Sequence, residues 1–385
     1  MESIISVGKR CKAVLFLTLL IFCSCDPSSQ SAPEDRSPVS LSNIARMISE
    51  LPLDSGHLRE VHNAVTLSAE NGYDEEYTMS QIFSAPGSGV GSEEGASRAG
   101  EWDNPLKSLI SSWFQDKYGV STRSSDGYTA QDCLSMLSAS DVQIYWPYSE
   151  DWDGESLPVV TFDPGYSAET NVGYELCADG TVKEITVSEE LASQRPVWVI
   201  NNNRDSGYQT LQTYQRLNAG KAKLPTRSGS KTLYVKDLTM LRHYDCWFAG
   251  ASEFFIKCGS IENFTASTEA ELKLYSPQIT DFMVVVKRKQ LGKAVPVNTV
   301  LMSGMTDQIE RLAFMVTEDD GGSKTSWKCS AVVKIKSKSY GFDIELPFNS
   351  RDDIVWRGSL ASDFFEGKEE VSGTFSGVKI GFEIK

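Results

Sequence analysis

The chain has 385 residues, 40% of them hydrophobic, and a mean hydropathy of -0.27, which fits a soluble globular body of two or three domains. Its formal net charge of -15 disfavours nucleic acid and anionic lipid headgroups as partners. Beyond the N-terminal run described next, no stretch is long and apolar enough to cross a bilayer as a helix.

Lys9, Arg10 and Lys12 precede an unbroken apolar run, residues 13–22, which stops at Cys23-Ser24-Cys25. Cations, a short apolar core and a small residue at its end make up a secretory signal. The run is too short to span a membrane, which takes roughly 20 residues. Phe22-Cys23-Ser24-Cys25 resembles a bacterial lipobox, in which the Cys becomes the first mature residue and carries the lipid. The resemblance implies that residues 1–24 are removed, that Cys25 carries acyl chains such as palmitate, and that the lipid bilayer is a partner through this anchor. Each buried CH₂ adds about 0.8 kcal/mol, and stable anchoring takes more than one chain. The alternative is an ordinary signal cleaved nearby, with Cys25 a plain thiol. Residues 25–40 are dominated by Ser and Pro, a solvated tether.

Residues 41–138 read as a helical region. Leu41, Ile44, Ile48 and Leu51 recur at helical spacing, and Pro52 ends that helix. A second helix spans 54–70, with Asp54 as N-cap and Asn71-Gly72 as the stop. Asp74-Glu75-Glu76 reads as a solvated turn or helix start. Residues 84–100, rich in Gly, Ser and Ala, read as a mobile loop. Helices over 105–118 and 129–137 follow, the latter capped by Thr129.

From residue 139 to 220 the period changes to that of strands, at 142–146, 159–162, 172–176, 182–187 and 196–200, with a hairpin turn at Ala178-Asp179-Gly180. Residues 204–220 are polar, and 221–230 form a linker. The remainder, 231–385, is almost all strand: 232–235, 253–257, 270–275, 282–286, 312–317, 330–336, 340–346, 354–356 and 378–384. Many short strands at regular spacing imply an antiparallel β-sandwich, large enough to fold alone. The fold class expected is therefore α+β: a helical N-terminal region, a strand-rich middle domain and a C-terminal sandwich.

Of eight cysteines, Cys11, Cys23 and Cys25 belong to the signal and anchor. Five remain, an odd number, with no CxxC. Cys246 and Cys258 either pair or serve, like the others, as buried thiols. His57 and His62 are five apart, off one helical face, and HExxH and GxSxG are absent, so no catalytic residue is assigned. His243 and Cys246 lie too close in sequence for a catalytic dyad.

Two acidic sets offer oxygen ligands for calcium, the one cofactor the sequence suggests. Ser149, Asp151 and Asp153 alternate before Gly154, as the start of a calcium loop does, although Val160 falls where the closing acid belongs. Glu318, Asp319 and Asp320, with Asp352 and Asp353, form two acidic loops. For both sets turn chemistry is the default. Trp146, Tyr148, Trp152, Trp198, Trp247, Phe248, Trp327 and Trp356 would suit glycan stacking only if exposed in a row; core packing is the default.

Two resemblances bear on function. Residues 141–200, with Trp146-Pro147-Tyr148 and Pro196-Val197-Trp198-Val199, and the segment 242–253 are similar to lipoproteins of Bacteroidetes-type bacteria, a family with no known activity. This implies a lipid-anchored place in the cell envelope, on a periplasmic or surface face of the outer membrane. Glu318-Asp319-Asp320-Gly321-Gly322 and Asp352-Asp353-Ile354 are similar to the acidic loops of C2-type sandwiches, which implies a C2-like C-terminal domain. The function expected is a non-enzymatic lipoprotein that binds or scaffolds an extracytoplasmic ligand or protein. The alternatives are a secreted hydrolase with an acidic active site or a glycan-binding module.

Overall fold

The computed structural model describes residues 37–84, 105–119, 127–165, 168–177, 179–203, 208–219 and 230–385. The signal, Cys25, the tether up to Arg36, nearly all of the 84–100 loop and the 221–230 linker lie outside the described residues. The described chain is mixed α+β, and Ser37–Lys385 forms one compact unit.

The N-terminal helices are α1 (Leu41–Ser49), α2 (Ser55–Glu70), α3 (Met79–Phe83), α4 (Pro105–Tyr118) and α5 (Ala130–Ser138). Their starts follow from local chemistry. Asp54 accepts from the N–H groups of Gly56 and His57, while the His57 ring returns to the Asp54 N–H, satisfying orphan donors at both ends of the exchange. Thr129 and Asp132 form the same reciprocal box at α5. Glu60, buried in α2, accepts from Leu106 N at the head of α4 and from Tyr77 Oη, tying three elements together.

These helices cover one face of a six-stranded sheet ordered β1-β2-β6-β3-β4-β5: β1 (Glu76–Thr78), β2 (Val142–Tyr145), β3 (Val159–Phe162), β4 (Thr170–Leu176), β5 (Val182–Ser188) and β6 (Val197–Asn202). All its pairs are antiparallel except β3 with β6. Because side chains alternate along a strand, Ile144, Trp198, Ile200 and Val160 meet the helices, while Tyr145, Val197, Val199 and Val159 face the other way. That second face is covered by Trp247 and Phe248, which arrive from far along the chain.

The C-terminal part holds two further antiparallel sheets around one core. One is β10-β7-β16-β15, built of β7 (Lys231–Met240), β10 (Ala294–Met305), β15 (Glu370–Phe375) and β16 (Val378–Ile384). The other is β13-β12-β11-β8-β9 with β14 also on β11, built of β8 (Ser252–Ser260), β9 (Gln278–Val286), β11 (Ile309–Glu318), β12 (Lys324–Ile335), β13 (Lys338–Asn349) and β14 (Asp353–Ala361). Leu233, Val235 and Leu238 of the first meet Phe254, Ile256, Phe282 and Phe314 of the second. The sandwich architecture expected from the alternating strands is present at this level.

Several local readings are corrected. Residues 269–274 form a 3₁₀ turn, not a strand: Glu271 accepts from Ser267 N and Thr268 Oγ1, and that local bonding outcompetes a ladder. The polar stretch after 203 contains a helix, α7 (Leu211–Asn218), capped by Thr210 and packed on the sandwich through Leu211 and Tyr214. A four-residue helix, α6 (Glu189–Ala192), follows β5. Other readings stand as they were made. Of the two alternatives for Cys246 and Cys258 the free thiols are found: Cys258 is buried in the sandwich core, and Cys246 Sγ reaches Ala168 O at 3.6 Å. Trp146, Trp198, Trp247 and Phe248 are buried, in line with core packing as the default, whereas one further reading is overturned. Asp74, Glu75 and Glu76 are not solvated; all three are buried.

Candidate metal centre

The sandwich end nearest the first sheet gathers carboxylates from three places. Glu318 closes β11, where it pairs with Phe254 of β8 on one side and Asp353 of β14 on the other. Register therefore brings the two predicted acidic loops to one end of one sheet. Asp319 continues the ladder, its N–H donating to Glu253 O at 3.1 Å. Asp319 Oδ1 accepts from Tyr208 Oη and from Asn349 Nδ2, both at 3.0 Å, and Asp352 Oδ2 accepts from Asn349 N at 2.8 Å. Asp352 is buried while Asp353 is exposed. Asp320 is half-buried just beyond, and its charge acts on Glu318.

Around Glu318 a tighter group forms with Asp245, from the β7–β8 loop, and Glu253, at the start of β8. Each offers a carboxylate oxygen, and these oxygens lie within 4.8 Å of one another. Glu318 is 1% exposed; no N–H or hydroxyl donates to its Oε1, and its carboxyl meets that of Asp245. A buried carboxylate without a donor is costly when ionised. Burial above all, then the Asp245 carboxyl and the charges of Asp320 and Asp319, push Glu318 up to about 12. Burial likewise raises Asp352 to about 6, with Asp319 beside it adding to the rise.

A cavity of about 30 Å³ adjoins the group, lined by Asp74, Glu76, Asp245, Glu253 and Asp319 together with Gln143 and Asn202. Asp74 is held in place by Ala251 N on Oδ2 and Glu75 N on Oδ1, and its burial raises its pKa. Glu76 Oε2 accepts from Asn203 Nδ2 at 2.9 Å. An all-oxygen, anionic donor set suits a hard divalent cation; zinc and copper sites call for His or Cys, and none belongs to this group. Three carboxylates, bidentate or completed by water, supply the six to eight oxygens that calcium takes. A space of this size admits an ion or a few waters.

The other predicted set does not converge. Ser149 Oγ donates to Glu75 Oε1 at 2.8 Å, Asp151 faces Lys289, and Asp153 folds back to accept from Glu155 N, Ser156 N and Ser156 Oγ. Those hydrogen bonds hold Asp153 down to about 2 and make it a turn residue. Asp245, Glu253 and Asp74 were missed by the sequence reading of the site. The local signal for Asp245 and Glu253 is a pair of acids around Trp247-Phe248-Ala249-Gly250-Ala251, a small apolar run broken by a glycine; Asp74 has none.

No protein-family model, curated protein or solved structure matches the chain.

Proposed function

We propose that the chain is a lipid-anchored protein of the bacterial cell envelope, on a periplasmic or surface face of the outer membrane. In this reading it is a non-enzymatic binding or scaffolding component that holds calcium at the Asp245, Glu253 and Glu318 centre. The observation that carries the cation is Glu318 Oε1, buried and without a donor, within reach of two more carboxylates. The cavity of about 30 Å³ beside the group is of ion or water size, which supports cation binding there. The meeting of the two acidic loops at one sheet end supports a C2-like assignment for the sandwich. The lipobox-like Cys25 and the likeness to Bacteroidetes-type lipoproteins support the location.

Two measurements test these parts separately. Calorimetric titration of calcium into the metal-free mature chain should give one saturable event, in the roughly 10⁻⁴ to 10⁻³ M range of extracellular calcium modules. Glu318→Gln should abolish it; heat of the same size in that variant would remove the centre from consideration. Mass spectrometry of the mature N-terminus, after expression in a lipoprotein-processing bacterium, should find a lipid on Cys25. Cleavage downstream of it, or a bare thiol, would rule out the anchor.

A further inference from the structure

The loop between β7 and β8, residues 241–251, leaves the sandwich and enters the first layer. Trp247 and Phe248 are 4% and 0% exposed, with ring centroids 3.9 Å apart, and they pack on Tyr145, Val159, Val197 and Val199. The backbone of this plug is fastened from the first-layer side. Asn201 Nδ2 donates to Phe248 O at 3.0 Å and Ala249 O at 2.8 Å, Trp247 Nε1 donates to Glu169 O, and Ala251 N donates to Asp74 Oδ2 at 2.8 Å. Gly250, at φ 142°, passes so close that a Cβ there would sit 2.9 Å from Asp74 Oδ2. No other residue fits that approach.

Both ends of the plug carry a carboxylate of the metal centre. Asp245 stands two residues before Trp247 and Glu253 two after Ala251, and both face Glu318 on β11. A divalent cation that takes an oxygen from each of these three carboxyl groups joins both ends of the plug to β11. Resting on the cation reading above, we infer that the ion at Asp245, Glu253 and Glu318 controls the seating of the Trp247–Phe248 plug, and so locks the sandwich to the helix-covered sheet. The second link between these parts does not depend on the ion. Lys287, Arg288 and Lys289, following β9, pair with Glu75, Glu189 and Glu150 of the first layer at 3.0, 2.8 and 2.6 Å. Arg288 Nη1 also donates to Asp245 O at 2.8 Å, so this link holds the start of the plug by its backbone whether or not the ion is bound, and the ion governs the seating of the residues beyond it.

Amide exchange of the mature chain, followed by mass spectrometry with calcium and with a chelator, tests this. Calcium is expected to slow exchange in residues 245–251 by about tenfold or more, and to leave the β12–β13 hairpin unchanged. Glu253→Gln, which keeps every apolar contact of the plug, should lose the calcium-dependent part of that protection. Calorimetric binding with unaltered exchange at 245–251 would overturn the plug proposal and leave the cation reading standing. Full calcium-dependent protection in Glu253→Gln would overturn it as well. Absence of both binding and protection would overturn the two together.

Discussion

Metal-free protein is expected to lose stability as pH rises above about 4, and calcium is expected to abolish most of that loss. The sign follows from the raised carboxyl groups. Glu318, ordinarily at 4.5, is pushed up to about 12 in the fold by burial and neighbouring acids, so the native state keeps a proton that the unfolded chain gives up. Its contribution is complete below 4.5 and drains as pH climbs through the folded value. Asp352, raised by burial from 3.8 to about 6, adds to the slope at its acid end. Glu75, raised from 4.5 to about 8 by burial and by the Glu150 carboxyl, extends it through neutrality. A cation in place of the proton at Glu318 removes the largest of these. At a hundredfold excess over its dissociation constant, calcium should add about 2.7 kcal/mol. Glu318→Gln mimics the protonated acid. Thermal melts should show it at least as stable as the parent in chelator at alkaline pH, and less stable in calcium. A parent whose midpoint rises with pH in chelator would contradict the whole account.

Phe248→Ala should cost about 3–5 kcal/mol, the range for emptying a buried aromatic site. The ring is wholly buried, and it stands in a core that joins two sheets through a loop. Denaturant unfolding should show the lower midpoint with an unchanged slope, because the change removes contacts without altering the surface exposed on unfolding. A loss under about 1 kcal/mol would mean that Trp247 alone covers the sheet.

Much of the fold is written locally. Ile44 and Ile48 at helical spacing, the Asp54 and Thr129 caps, and the turn before Thr181 each need only neighbours within a few residues to act, and each is where the sequence places it. The 3₁₀ turn at 269–274 shows the limit, since Glu271 satisfies nearby donors that no alternation count registers. The candidate site is legible only in part. Glu318 and Asp353 can be suspected as loop acids, but their pairing is a matter of register between β11 and β14. Asp74 comes from one segment and Asp245 and Glu253 from another far along the chain; Asp74 is buried and the other two are half-buried, which no local pattern in an acidic chain records. Asp74-Glu75-Glu76 reads as surface because three adjacent acids usually are. Here Lys287, Ala251 N and Asn203 each take one of them, and those partners are distant in sequence.

The Trp247–Phe248 plug also imposes an order in time. The chain emerges from synthesis with its N-terminus first, and residues up to 202 already hold every strand of the first sheet. Helices can close one face at that stage, but Tyr145, Val159, Val187, Val197 and Val199, flanked by Leu191 and Ala192, lack their Trp247 and Phe248 cover until residue 248 follows. The N-terminal layer is thus left waiting for a wedge made by the next part of the chain, and for that interval it presents an apolar sheet face of the kind chaperones hold and aggregates exploit. Truncations that stop before residue 247 would fix the protein permanently in that unfinished state.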